Sequence, residues 1–193
     1  MDVTTDQQPG TAPEQRSRPS WQAIAALVVV VAAIGVAVVL GYVHTRNPVV
    51  VSGPLAVSTF DQPGANSAAC KSLMPALPGK LGDGPRRQID GEPAGIAAWG
   101  DPAVILRCGL ETPQDLTCSS ALVQVNGVSW LQLTEAGLGS TTYIAADRSV
   151  RVAVTVPDGS GTAAIQQVSN AVSTTLQFRQ PCSNGVLLPT DTR

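Results

Sequence analysis

The 193-residue chain contains a single histidine, His44. Everything after residue 44 therefore lacks imidazole. That excludes Ser-His-Asp and Cys-His catalysis there, together with any His-ligated zinc. The four cysteines include no Cys-x-x-Cys pair, so neither a zinc ribbon nor a thioredoxin-like redox site fits. Basic residues are in deficit, with 12 Lys and Arg against 14 Asp and Glu. Nucleic-acid binding needs a basic footprint, so no nucleic-acid partner is expected. Aromatic residues are scarce, at 4%, and a core must rest on Val, Leu, Ile and Ala. No phosphate loop, Gly-x-Ser-x-Gly or Ser-x-x-Lys motif occurs. The sequence implies no cofactor and no metal.

What is present first is a long apolar run. Residues 21–43, WQAIAALVVVVAAIGVAVVLGYV, carry no charge. A helix of that length spans roughly 34 Å, against a hydrocarbon core of about 30 Å. Trp21 and Tyr42 sit at its ends, where interfacial aromatics belong. A cleavable signal peptide has a shorter apolar run ending in small residues; Gly41-Tyr42-Val43-His44 offers no such site, and no Cys follows to carry a lipid. Residues 21–43 are therefore read as a transmembrane signal anchor, with the lipid bilayer as partner. Arg16 and Arg18 precede the run and Arg46 follows it, a small positive-inside bias. All four cysteines follow it, and paired cysteines belong in an oxidising compartment. Residues 1–20, with Pro9, Pro13 and Pro19, are expected as a disordered cytoplasmic tail. The rest is expected outside the cytoplasm, on a single-pass cell-membrane protein.

Residues 44–65 read as a stalk, with 49–51 and 55–57 as short edge strands. Residues 66–183 read as an exported, disulfide-bonded domain and 184–193 as a polar tail. Asn66 or Ser67 caps a helix through Cys70 and Leu73, which Pro75 ends or kinks. Residues 78–85, rich in Gly and Pro, read as a loop. Strands at 96–99 and 104–108 flank a Gly100-Asp101-Pro102 turn. Strands at 122–125 and 128–133 flank Asn126-Gly127, the signature of a type I′ hairpin, placing Val125 opposite Val128 and Val123 opposite Trp130. Strands at 141–145 and 149–156 flank Ala146-Asp147-Arg148. In the last strand Val150, Val152, Val154 and Val156 alternate with Ser149, Arg151, Ala153 and Thr155, so one face is buried and one is wet. Residues 162–176 switch to helical spacing, with Ile165, Val168, Val172 and Leu176 on one stripe. The expected fold is α+β: after the N-terminal transmembrane helix, a mainly antiparallel β-sheet of about five or six strands with helices packed on one face.

Cys70, Cys108, Cys118 and Cys182 can pair in three ways. The preferred map is Cys70–Cys108 with Cys118–Cys182; the rival is Cys108–Cys118 with Cys70–Cys182. Gly159-Ser160-Gly161-Thr162-Ala163-Ala164 matches Gly-x-Gly-x-x-Ala, but after Asp158 the next acid is Asp191. It reads as the lead-in to a helix rather than a dinucleotide fingerprint. Without histidine, acid–base work falls to Asp90, Glu92, Asp101, Glu111 and Asp115, which read as surface charge. Trp99 and Trp130 read as core residues rather than sugar platforms. Arg107 precedes Cys108 and points to the opposite face of its strand. Buried, it needs a carboxylate such as Asp101; exposed, it can meet an anion. Trp99, Asp101 and Arg107 form the candidate ligand or partner region, and no catalytic residue is assigned.

The run Trp99-Gly100-Asp101-Pro102-Ala103-Val104-Ile105-Leu106-Arg107-Cys108-Gly109 is distinctive. With Cys70-x-x-Leu73, Leu77-Pro78, Asn126-Gly127-Val128-x-Trp130 and Val156-Pro157, it resembles an uncharacterised actinobacterial family of anchored or secreted proteins. The resemblance covers residues 66–176. It implies an envelope location and a domain of unknown function, and it carries no activity. The expected function is a non-catalytic, membrane-anchored extracytoplasmic module that engages an envelope protein or cell-wall component. The alternatives are an accessory subunit of a membrane or cell-wall complex and a carboxylate-dependent envelope hydrolase.

Overall fold

The computed structural model describes residues 21–46, 53–58, 60–134 and 137–190. The tail expected at 1–20 and the edge strand expected at 49–51 lie outside the described residues. The chain divides into two units, Met1–Pro48 and Val49–Arg193. In the first, Trp21–Arg46 form helix α1. Its side chains are described at 21, 24–26 and 28–40, and all are exposed. Taken over these described side chains alone, no helical stretch is long and apolar enough to cross a membrane.

The second unit is built on one antiparallel sheet. Its strands are β1 (Lys80–Leu81), β2 (Gly84–Arg87), β3 (Ile96–Trp99), β4 (Val104–Leu110), β5 (Leu122–Val125), β6 (Val128–Thr134), β7 (Ser140–Ala145) and β8 (Arg151–Pro157). They lie in the order β1-β2-β3-β4-β8-β7-β6-β5. Two four-strand meanders are thus joined by the antiparallel pairing of β4 with β8. The sheet has eight strands rather than the expected five or six. The additional pair, β1 and β2, lies in the Gly- and Pro-rich stretch that reads as a loop. Its pairing rests on backbone bonds rather than a hydrophobic pattern: Arg86 N–H donates to Gly79 O at 2.9 Å and Gly100 N–H to Pro85 O at 3.0 Å. Between β5 and β6, Asn126 and Gly127 take φ of 46° and 77°, as a type I′ turn requires. Val125 faces Val128 and Val123 faces Trp130.

Helices α2 (Ala68–Ala76) and α3 (Ala163–Thr175) cover one face of this sheet. Ser67 caps α2 by accepting from Cys70 N–H. Pro75 lies inside α2, in its last turn, and the helix ends one residue later. Ile165, Val168 and Val172 of α3, with Leu176 just beyond it, are buried against Trp99, Leu106, Trp130, Val152 and Val154. Ser169 also faces this core, where its Oγ accepts from Trp130 Nε1 at 3.0 Å and donates to Ile165 O at 2.6 Å. The disulfide Cys70–Cys108 ties α2 to β4. A second, Cys118–Cys182, ties the loop after β4 to β9 (Cys182–Ser183). β9 pairs with β10 (Val186–Leu187) in a small hairpin, and Leu187 packs on the sheet face opposite the helices. The 184–193 stretch is therefore structured as far as β10. Part of the expected stalk also joins the second unit: Leu55 bridges Ile89, and Gly64 N–H donates to Gly109 O at 2.9 Å.

Candidate functional site

The face of the sheet away from the helices is covered in two places. Leu55 and Val57 pack over Ile89, Ile96, Ala98 and Ile105 at one side. Leu116 and Leu187 pack over Leu131, Ile144 and Ala153 at the other. Between these covers lies a cleft of about 760 Å³. Its floor follows from register. Arg107, Ala153 and Ile144 form one row across β4, β8 and β7, and Thr155, Thr142 and Leu133 form the next across β8, β7 and β6. Small side chains at Ala153, Thr155 and Thr142 leave depth between the taller neighbours. Thr142 and Thr155 share a hydroxyl hydrogen bond of 3.0 Å, which engages one of their two hydroxyl protons. Phe60, Leu138 and Pro113 add apolar lining, and Asp61, Glu111 and Asp115 add carboxylates. Those three acids are exposed.

Arg107 is the charged residue of the floor, and it is 8% exposed. Its Nη2 donates to Ser58 O at 3.2 Å, and the guanidinium carbon lies 4.8 Å from the Phe60 ring centre. Its buried Nε has no hydrogen-bond partner. Among the described residues no carboxylate is within ion-pairing distance of it. Burial pushes the guanidinium below its usual value, and it stays cationic because arginine starts far above neutrality.

A bulge aims the neighbouring residues. Pairing slips between Cys108 and Leu110, so Leu110 sits opposite Arg151. Strict alternation would turn Leu110 to the helix face; the extra residue returns it to the cleft. Gly109 takes φ of 90°, and a Cβ there would collide with the Gly64 and Ala65 backbone. Gln62 Nε2 donates to Cys108 O at 2.9 Å beside it. These contacts seat residues 60–65 against β4 and place Phe60 over Arg107.

A second buried group braces the opposite wall. Ala146-Asp147-Arg148 reads as the connection of a hairpin, and in the structure Asp147 and Arg148 are both buried. Their ion pair is 2.9 Å long. Asp147 also accepts from Ser129 N–H at 3.0 Å, and Arg148 donates to Gly127 O at 2.6 Å. Arg151 is expected on a wet face but is 1% exposed. Its Nη1 donates to Ala146 O at 2.5 Å and its Nε to Thr112 Oγ1 at 3.3 Å, which holds the 111–115 wall. Desolvation lowers the Arg151 pKa, and Asp147 offsets part of that. The wet-face expectation fails because the 110–121 loop and β10 cover that side. The signal was the placement of three charged residues at 147, 148 and 151 beside an apolar strand.

Trp99, Asp101 and Arg107 do not form one site. Trp99 points to the helix face, fully buried, with Nε1 donating to Pro78 O at 2.8 Å. Asp101 lies on the exposed turn after β3 and, together with Trp99, lines a separate recess of about 240 Å³ with Leu81, Gly82 and Ala164, so these two of the three residues are brought together there. Arg107 alone faces the cleft, without the carboxylate its burial called for. Trp130 is a core residue like Trp99. Of the five candidate carboxylates, Glu111 and Asp115 line the cleft, whereas Glu92 borders a third recess. Gly159 and Gly161 form the turn from β8 into α3. Among the described residues no cluster of His, Cys, Asp or Glu could hold a metal ion.

A family model described as a protein of unknown function, DUF3515, matches residues 23–181. No curated protein and no solved structure matches the chain.

Proposed function

We propose, for a chain that belongs to the DUF3515 family, a non-catalytic, membrane-anchored extracytoplasmic module that binds its ligand in the cleft on the helix-free face. One observation carries the cleft reading: Arg107 is buried at the floor with an unpaired Nε and no carboxylate. An uncompensated buried cation is costly to keep, and a cleft open to it gives the cost a purpose. The disulfides Cys70–Cys108 and Cys118–Cys182 support an oxidising compartment. The uncharged run 21–43 within helical backbone from Trp21 to Arg46 supports a single-pass anchor. The resemblance of the Trp99–Gly109 run to an actinobacterial envelope family points the same way. An envelope protein or cell-wall component remains the expected source of the ligand. The absence of histidine from the second unit supports binding over hydrolysis.

The test is a photo-crosslinking amino acid at Leu138, an exposed residue of the cleft rim, in the full-length protein in intact cells. The same label at Lys71, exposed on α2, is the control. A defined adduct at Leu138 and not at Lys71 is expected. The same products at both positions would count against the cleft.

A further inference from the structure

We propose that the cleft takes an amphiphile bearing a single negative charge, its carboxylate against Arg107 and its apolar body over the neighbouring floor. This rests on the cleft being the binding site and goes further by naming the chemistry of the ligand. Three observations fix that chemistry.

The first is the unmet donor. Arg107 is more than nine-tenths buried, and its Nε has no partner. Nε and an adjacent Nη form one edge of the guanidinium, the edge that meets a carboxylate with two parallel bonds. Ser58 O takes one Nη2 bond, and no acid of the described protein neutralises the charge. The two floor threonines share one hydrogen bond and are neutral, so Arg107 is the group whose charge a ligand's polar end would complete.

The second is the surround. Phe60, Leu110, Leu133, Leu138, Ile144 and Ala153 line the cleft around this cation. Leu138 and Phe60 are large apolar side chains left 65% and 61% exposed at its margin. The other polar side chains of the lining are neutral (Gln132, Thr134, Ser140, Thr142 and Thr155) or acidic, so Arg107 is its one cation, and apolar wall beside one cation suits a ligand with an apolar body and one anionic end. A volume of about 760 Å³ also exceeds what a bare inorganic anion needs.

The third is the charge at the rim. Asp61, Glu111 and Asp115 are exposed around the opening. They lie within reach of a ligand's outer atoms on the scale of the roughly 8 Å screening length. Three acids against one cation disfavour a dianion or a polyanion. A monoanion loses little, because its charge sits at the desolvated floor, where the interaction is least screened.

The experiment uses the full chain in lipid nanodiscs, with empty nanodiscs subtracted. Decanoate, decanol and decyl phosphate are the probes, radiolabelled and measured by equilibrium binding. Decanoate is expected to bind saturably at one per chain. Decanol is expected to bind about tenfold to a hundredfold more weakly, as is decanoate to Arg107→Met. Decyl phosphate is expected to bind more weakly than decanoate to the parent and to gain on it in the triple variant Asp61→Asn, Glu111→Gln, Asp115→Asn. Thermal melting of Arg107→Met shows whether it folds, and Arg107→Gln is the second variant if it does not. Equal binding of decanoate and decanol, unchanged in Arg107→Met, would overturn the monoanion inference and leave the cleft as an apolar site. Tighter binding of decyl phosphate than decanoate to the parent would overturn it in favour of a phosphate ligand. Binding of none of the three probes overturns it as well, and the Leu138 crosslink then decides whether the cleft reading falls with it.

Discussion

A guanidinium inside a protein costs free energy unless its donors and charge are met. Arg148 has its charge met by Asp147 and an Nη bond to the Gly127 carbonyl, although its buried Nε, like that of Arg107, has no partner. Arg107 has no acid paired with it among the described residues, and this difference in charge pairing is the ground for proposing it as the ligand contact. Asp147→Asn removes the charge partner of a buried cation, and a loss of about 3–5 kcal/mol in chemical denaturation is expected. Arg107→Met removes a cation that has no acid paired with it among the described residues, so stability within about 1 kcal/mol of the parent, or above it, is expected by the same measurement. A large loss would show Arg107 to be structural. The direction of Arg107 was legible in the sequence, since the residue before a core cysteine in a strand faces away from it. Its lack of a carboxylate was not, because Asp101 is near it in sequence but belongs to the turn beyond the strand end. Nor was the burial of Arg151, which depends on a loop and a hairpin from elsewhere in the chain.

At the scale of elements, hydrophobic alternation and turn chemistry located six of the eight sheet strands. The Asn126-Gly127 hairpin shows why: its register follows from the turn alone. β1 and β2 escape such reading, for their residues Lys80, Leu81, Gly84, Pro85, Arg86 and Arg87 carry neither alternation nor β-branched side chains. The bulge at Gly109 escapes too, because a glycine after a cysteine does not announce a register slip. It nevertheless shapes the cleft, by turning Leu110 inward and letting residues 64 and 65 approach β4. Gly109→Ala places a Cβ against that backbone at a φ of 90°. A loss of about 2–4 kcal/mol is expected, with proteolysis appearing first between residues 60 and 66. Unchanged stability would mean that this segment is not held there. In the helix-face core, Trp130→Phe removes the bond to Ser169 while keeping an aromatic ring, and a loss of about 1–3 kcal/mol in denaturant unfolding is expected.

The second unit is built on one eight-stranded sheet with one face sealed by helices and the other left partly open. The sealed face holds both buried tryptophans and the Cys70–Cys108 bridge. The open face is closed at its margins in part by residues outside those read as the domain, Leu55 and Val57 on one side and Leu187, beside Leu116, on the other. Cys118–Cys182 spans 64 residues and fastens one of these margins. Replacing both cysteines with alanine is expected to cost about 4 kcal/mol by loop-closure entropy, and to loosen the cleft before the helix-face core. Hydrogen exchange resolves the two, with faster exchange at residues 111–121 and 182–188 than in α3.

The most direct test of the cleft is the mass of the full-length protein, isolated from its own cells in nanodiscs and measured without denaturation. The parent should carry one small molecule, which Arg107→Met, folded to the same stability, should lack. An identical bound mass on both proteins, or none on either, would contradict Arg107 as the determinant of the site.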